Sequence, residues 1–157
     1  VVTPVTLRPV ARAARKWTRA PFPVRPRRCS LMFEVTTEAE FSASHILPGY
    51  TGPCGKLHGH NYQVRVTAEG EELDELGMLL DTRILKRALA EVLSGLDHAH
   101  LNDLAHFRRK PPSAENIAKY VFDEVMSKLQ QEGGDREVWL REVRVAESRN
   151  AWALYRP

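Results

Sequence analysis

The sequence predicts an α+β domain in the order β-β-α-α-β-β, an antiparallel sheet with both helices on one face. Three observations predict it. Apolar residues alternate at period two in segments around 33–43 and 62–68. Two later stretches, 85–96 and 117–129, repeat apolar residues at steps of three and four. Alternation then returns in two closing segments, 138–147 and 151–155.

The first strand carries Phe33, Val35, Phe41 and Ala43 on one face, and the second carries Tyr62, Val64, Val66 and Ala68, as half-buried strands require. Between them, Leu47 to Leu57 holds the turn signals Pro48-Gly49, Gly52-Pro53 and Gly55. An acidic connection from Glu69 to Gly77 leads to Asp81, a suitable N-cap. The helix it opens places Leu85, Leu89, Val92 and Leu96 on one face and runs to about Gly95. A polar loop is expected from Asp97 to Pro112. Ser113 caps the second helix, whose stripe is Ile117, Val121, Val125 and Leu129, and Gly133-Gly134 ends it. Ser148-Arg149-Asn150 joins the two closing strands.

Charge divides the chain. Of 157 residues, the first 32 hold eight basic side chains and no acid, from Arg8 to Arg28, together with five of the ten prolines. Such a segment, with no packable face, predicts a disordered extension over 1–31. It is read either as an organelle transit segment or as sequence upstream of a natural start at Met32, the second being preferred because ordered pattern begins at Phe33. The domain then spans 32–157. Beyond residue 32, fifteen basic residues face twenty acidic ones, so the pI near 9.0 belongs to the extension. A mildly acidic domain argues against nucleic acid as a partner. No apolar run approaches the length of a membrane-spanning helix. Two cysteines, Cys29 and Cys54, make no disulfide framework and suit a reducing, cytoplasmic compartment.

The chemistry concentrates at His58-Gly59-His60, with His45 thirteen residues earlier. In a strand, residues i and i+2 share a face, so His58 and His60 present two imidazoles to one point. Gly59 keeps the opposite face clear, and antiparallel pairing can bring His45 to the same place. Three imidazoles suit Zn²⁺ and leave a fourth position open, the mark of a catalytic metal. Cys54, four residues before His58, is either a fourth ligand or a thiol of lowered pKa that moves protons. Asp97-His98 is either a proton-relay pair or a helix end with a dipole-facing histidine. Glu147, in line with the apolar Val143 and Val145, needs a partner, and a guanidine-like ligand edge would serve. Glu115 complements the dipole of the second helix. His100 and His106 are read as surface residues.

Phe41-Ser42-Ala43-Ser44-His45, Cys54-Gly55-Lys56-Leu57-His58-Gly59-His60-Asn61-Tyr62, Leu96-Asp97-His98, Pro112-Ser113-Ala114-Glu115-Asn116 and Val145-Ala146-Glu147 together resemble the 6-pyruvoyl-tetrahydropterin synthase/6-carboxytetrahydropterin synthase family. The resemblance implies the tunnelling fold (T-fold), with subunits joined as a homo-hexamer of two trimers and active sites between subunits. It implies zinc on His45, His58 and His60, with Cys54 as catalytic thiol rather than ligand. Asp97 and His98 would act as relay from a neighbouring subunit, and Glu147 would anchor a pterin, assisted by Glu115. Three residues between Cys54 and His58 resemble the carboxy-product enzymes of 7-deazaguanine (queuosine) biosynthesis; a longer interval marks the pyruvoyl enzymes. The implied activity is a lyase acting on 7,8-dihydroneopterin triphosphate. The alternatives are the pyruvoyl product and a non-catalytic zinc-stabilised binding module.

Overall fold

A computed structural model describes residues 5–7, 32–132 and 136–157. The expectation of a disordered extension, apart from residues 5–7, lies outside the described residues, as do Cys29 and the Gly133-Gly134 terminator. The elements are β1 (Val5–Leu7), β2 (Phe33–His45), β3 (His58–Gly70), α1 (Thr82–Ser94), α2 (Ala114–Glu132), β4 (Arg136–Ser148) and β5 (Ala151–Tyr155). The sheet is antiparallel, with β3 between β2 and β4, while β1 and β5 both pair with β4. The predicted β-β-α-α-β-β order is present over residues 33–155; the short β1 is additional.

Period-two patterning builds the core face. Phe41 and Ala43 of β2, Val64, Val66 and Ala68 of β3, and Val143 and Val145 of β4 are buried, and the helices cover them, α2 lying on β4 and β5 and α1 on β2 and α2. Each fully buried aliphatic side chain contributes roughly 1.5–3 kcal/mol. The other face of β2, β3 and β4 displays Glu38, Glu40, Asn61, Arg65 and Arg144 to solvent. One domain therefore has a dry face under the helices and a polar face without them.

The helices begin where the sequence places them. Asp81 accepts a hydrogen bond from Arg83 N at 2.9 Å, and Gly95 ends α1. Ile117 N bonds the Ser113 carbonyl and Asn116 N reaches the Ser113 hydroxyl. The expected polar loop between the helices differs: Leu101 and Phe107 are buried and pin it to the core. They follow no helical or strand period, so patterning could not mark them. No described helix is long and apolar enough to cross a membrane.

Candidate metal centre and active site

The β2–β3 register makes His45 and His58 direct cross-strand partners, with Ala43 opposite His60. The three rings therefore share the helix-covered face at the end of the hairpin where the loop 46–57 joins the two strands. Their ligand atoms all lie within 4.8 Å of one another. Gly59, between the two histidines, approaches β2 so closely that a Cβ would sit 3.2 Å from the Ala43 carbonyl oxygen, which favours glycine there.

Backbone carbonyls fix the rings. His45 Nδ1 lies 2.7 Å from the Pro112 carbonyl oxygen, just before α2, and His58 Nδ1 lies 2.8 Å from that of Lys56. A carbonyl only accepts, so both Nδ1 atoms carry the proton and donate. Burial above all holds the His45 pKa below its ordinary value, which keeps that ring neutral. Its Nε2 is then a lone pair, and it faces His58 Nε2 at 2.9 Å. Two lone pairs at that distance repel unless a proton or cation lies between them. His60 Nε2 is buried without a hydrogen-bond partner. Converging imidazole lone pairs with an orphaned nitrogen beside them fit a metal ion such as zinc, and the carbonyl bonds to Nδ1 are those that orient metal-binding histidines.

Cys54 sits partly buried in a single 3-10 turn, Pro53–Gly55. The turn is closed by Gly55 N to Gly52 O at 3.0 Å and tied to β2 by Leu47 N to Cys54 O at 2.9 Å. A Cβ at Gly55 would lie 2.0 Å from the Tyr50 carbonyl, so only glycine permits this packing. The thiol is not among the atoms of the histidine group.

Glu147 falls at a β-bulge, where the pairing of β4 with β5 shifts between Ala146 and Ser148. Bulges re-aim side chains, and here a carboxylate oxygen stands 3.9 Å from His45 Nε2. With that ring neutral, the contact is not an ion pair. Glu147 also lines a cleft of about 430 Å³, together with His60, Gly59, Asn61, Gln63 and Arg149.

Asp97 and His98 are paired at 2.9 Å but lie on the edge of β2, and no contact joins them to the histidine group. Ser42 N donates to Asp97 Oδ1 at 2.8 Å, and His98 N donates to Ser42 O at 2.6 Å. The Ser42 bond is the main cause of the lowered Asp97 pKa, with His98 adding to it against a smaller opposing effect of burial. His98 adopts φ 56°, a left-handed conformation that costs roughly 1 kcal/mol, and its side chain is 83% exposed. Glu115 is exposed in the first turn of α2, and its carboxylate bonds no other described residue.

Two surface expectations change. His100 is half-buried and hydrogen-bonds Ser44 Oγ at 3.1 Å. His106 is half-buried against Tyr120 and Phe107. Tyr62, not among the residues predicted for the site, also belongs to it. Its ring touches those of His45 and His60, and its place two residues after His60 on the same strand face was the available signal.

Known proteins resemble this chain in sequence and fold. The family model described as 6-pyruvoyl tetrahydropterin synthase matches residues 34–157. A Bacillus subtilis protein named 6-carboxy-5,6,7,8-tetrahydropterin synthase is 33% identical over 130 residues, covering 80% of this chain and 86% of its own. A Dictyostelium discoideum protein named 6-pyruvoyl tetrahydrobiopterin synthase is 31% identical, covering 67% and 74%. The solved structure of the Caenorhabditis elegans 6-pyruvoyl tetrahydropterin synthase superposes with a TM-score of 0.70 at 27% identity, over 82% of this chain and 97% of that one. Sheet, helices and relatives define the class as a T-fold pterin lyase. The chain belongs to the 6-pyruvoyl tetrahydropterin synthase family.

Proposed function

We propose that the protein is a zinc-dependent 6-carboxy-5,6,7,8-tetrahydropterin synthase. It takes 7,8-dihydroneopterin triphosphate and water to 6-carboxy-5,6,7,8-tetrahydropterin, acetaldehyde and triphosphate, a step of 7-deazaguanine biosynthesis. The observation that carries the metal is the convergence of the His45, His58 and His60 ligand atoms. When bound, the zinc supplies Lewis-acid polarisation of substrate oxygens. Two features favour the carboxy product: the three-residue interval between Cys54 and His58, and the name of the Bacillus relative, which this chain covers over 86% of its length.

Each residue has a distinct task. Glu147 accepts two N–H donors from the 2-amino and N3 edge of the pterin, a geometry that a carboxylate matches and an amide does not. Cys54, outside the ligand group and four residues before His58, takes and returns a proton at the substrate side chain. Asp97 and His98 are not part of the histidine group, and the exposure of His98 suits a relay delivered to a neighbouring copy. That reading requires an oligomer with sites between chains, here a homo-hexamer. Glu115 assists at the same inter-subunit pocket. The free thiol fits a reducing, cytoplasmic setting.

Mass analysis of the products from purified protein and 7,8-dihydroneopterin triphosphate tests the reading. Equal amounts of 6-carboxytetrahydropterin and acetaldehyde are expected. A 6-pyruvoyl product without acetaldehyde would replace it with the sister activity named for the Dictyostelium relative.

A further inference from the structure

The site leaves two complementary groups unmatched side by side. The Tyr62 hydroxyl is fully buried and has no hydrogen-bond partner. The Glu147 carboxylate, on the next strand, accepts no hydrogen bond from any described residue; His45 Nε2 stands 3.9 Å from it. Gln63 pairs with Ala146 across β3 and β4, and Tyr62 and Glu147 are the next residues beyond that pair.

The tyrosine ring cannot swing its oxygen elsewhere. It stacks on Phe41 at 4.7 Å and 10° and meets the edges of His45 and His60 at 5.9 and 5.4 Å. A buried hydroxyl without a partner costs stability, and a phenylalanine would fill the same space without that cost. An oxygen held in this position therefore calls for an acceptor that arrives or turns toward it. A phenol carries its proton at neutral pH and is therefore a donor.

We propose that Tyr62 is a positioning residue: in the ligand-bound protein its hydroxyl donates to the Glu147 carboxylate and aims it at the pterin edge. A carboxylate has lone pairs enough for one phenol and two ring N–H groups. The bond draws Glu147 away from His45 Nε2, leaving that nitrogen to the metal. This inference rests on the reading of Glu147 as the pterin anchor.

The test compares wild type, Tyr62→Phe, Glu147→Gln and the double variant, each as the zinc-loaded full chain. Neopterin, which lacks the triphosphate, is the binding probe, and the melting temperature of the ligand-free protein is the control. Tyr62→Phe is expected to bind neopterin about tenfold more weakly, the loss of one hydrogen bond to a charged group. It is expected to keep its zinc and to melt no lower than wild type, because the oxygen removed had no partner. The double variant is expected to bind no more weakly than Glu147→Gln. Unchanged affinity in Tyr62→Phe, additive losses in the double variant, or a lowered ligand-free melting temperature overturns the inference alone. Wild type that does not bind neopterin overturns the pterin-anchor reading, and this inference with it.

Discussion

Two polar clusters are buried in one sheet, and they differ in how completely they are satisfied. On the helix-free face Glu142, its side chain 4% exposed, is bonded by Arg144 at 2.7 Å and by Arg156, with Arg141 at 3.6 Å. On the helix-covered face His45, His58, His60, Tyr62 and Glu147 crowd together with two orphaned atoms and two opposed lone pairs. A polar cluster complete in itself stabilises a fold; one that is incomplete is arranged around something that binds. The contrast predicts that the two clusters answer differently to the same kind of substitution.

The largest effect is expected at His60. If His60 is a ligand as proposed, His60→Ala should abolish both bound metal and turnover, while the ligand-free melting temperature stays near that of wild type; retained stoichiometric zinc, read by metal analysis, would break the contrast. Cys54→Ala comes next. It should lower kcat by about 10²–10⁴-fold, the scale of general acid–base catalysis, with zinc content intact. Loss of zinc would make the thiol a ligand. Glu147→Gln should weaken pterin affinity by about tenfold or more, measured by titration with neopterin, with little change in unfolding.

Glu142→Gln should do the reverse, leaving zinc and pterin binding alone and destabilising the fold by about 1–2 kcal/mol, a value reduced because its arginine partners are half exposed. The pH dependence sharpens this. Burial raises the Glu142 pKa, but Arg156 and Arg144 outweigh it and hold the group below its ordinary 4.5. A depressed carboxylate contributes stability that is present above pH 4.5 and lost as pH falls through the folded value. Urea unfolding should therefore show an acid-side loss below pH 4.5 that is smaller in Glu142→Gln. The smallest effect is expected away from both clusters. Asp81→Ala removes the α1 cap and should lower the melting temperature slightly at unchanged zinc content.

Much of this was legible in the residues because it is periodic. The i, i+2 rule put His58 and His60 on one face, and the antiparallel hairpin brought His45 opposite. Glu147 stood out because Val143 and Val145 share its face. Asp81 and Gly95 bound α1 as their chemistry requires. What stayed hidden has no side-chain signature. The Pro112 and Lys56 carbonyls that fix the imidazole tautomers are backbone atoms any residue supplies. The left-handed turn of His98 and the edge placement of Asp97 follow from tertiary bonds to Ser42. Leu101 and Phe107 are buried from a loop without a period, and the half-burial of His100 depends on Ser44, a partner 56 residues away.

X-ray absorption at the zinc edge of the purified protein most directly tests the central claim that three imidazoles hold one catalytic metal. The account predicts one zinc per chain with three imidazole nitrogens, a light-atom fourth ligand and no sulfur. A sulfur scatterer from Cys54, or full turnover by protein without zinc, would contradict it.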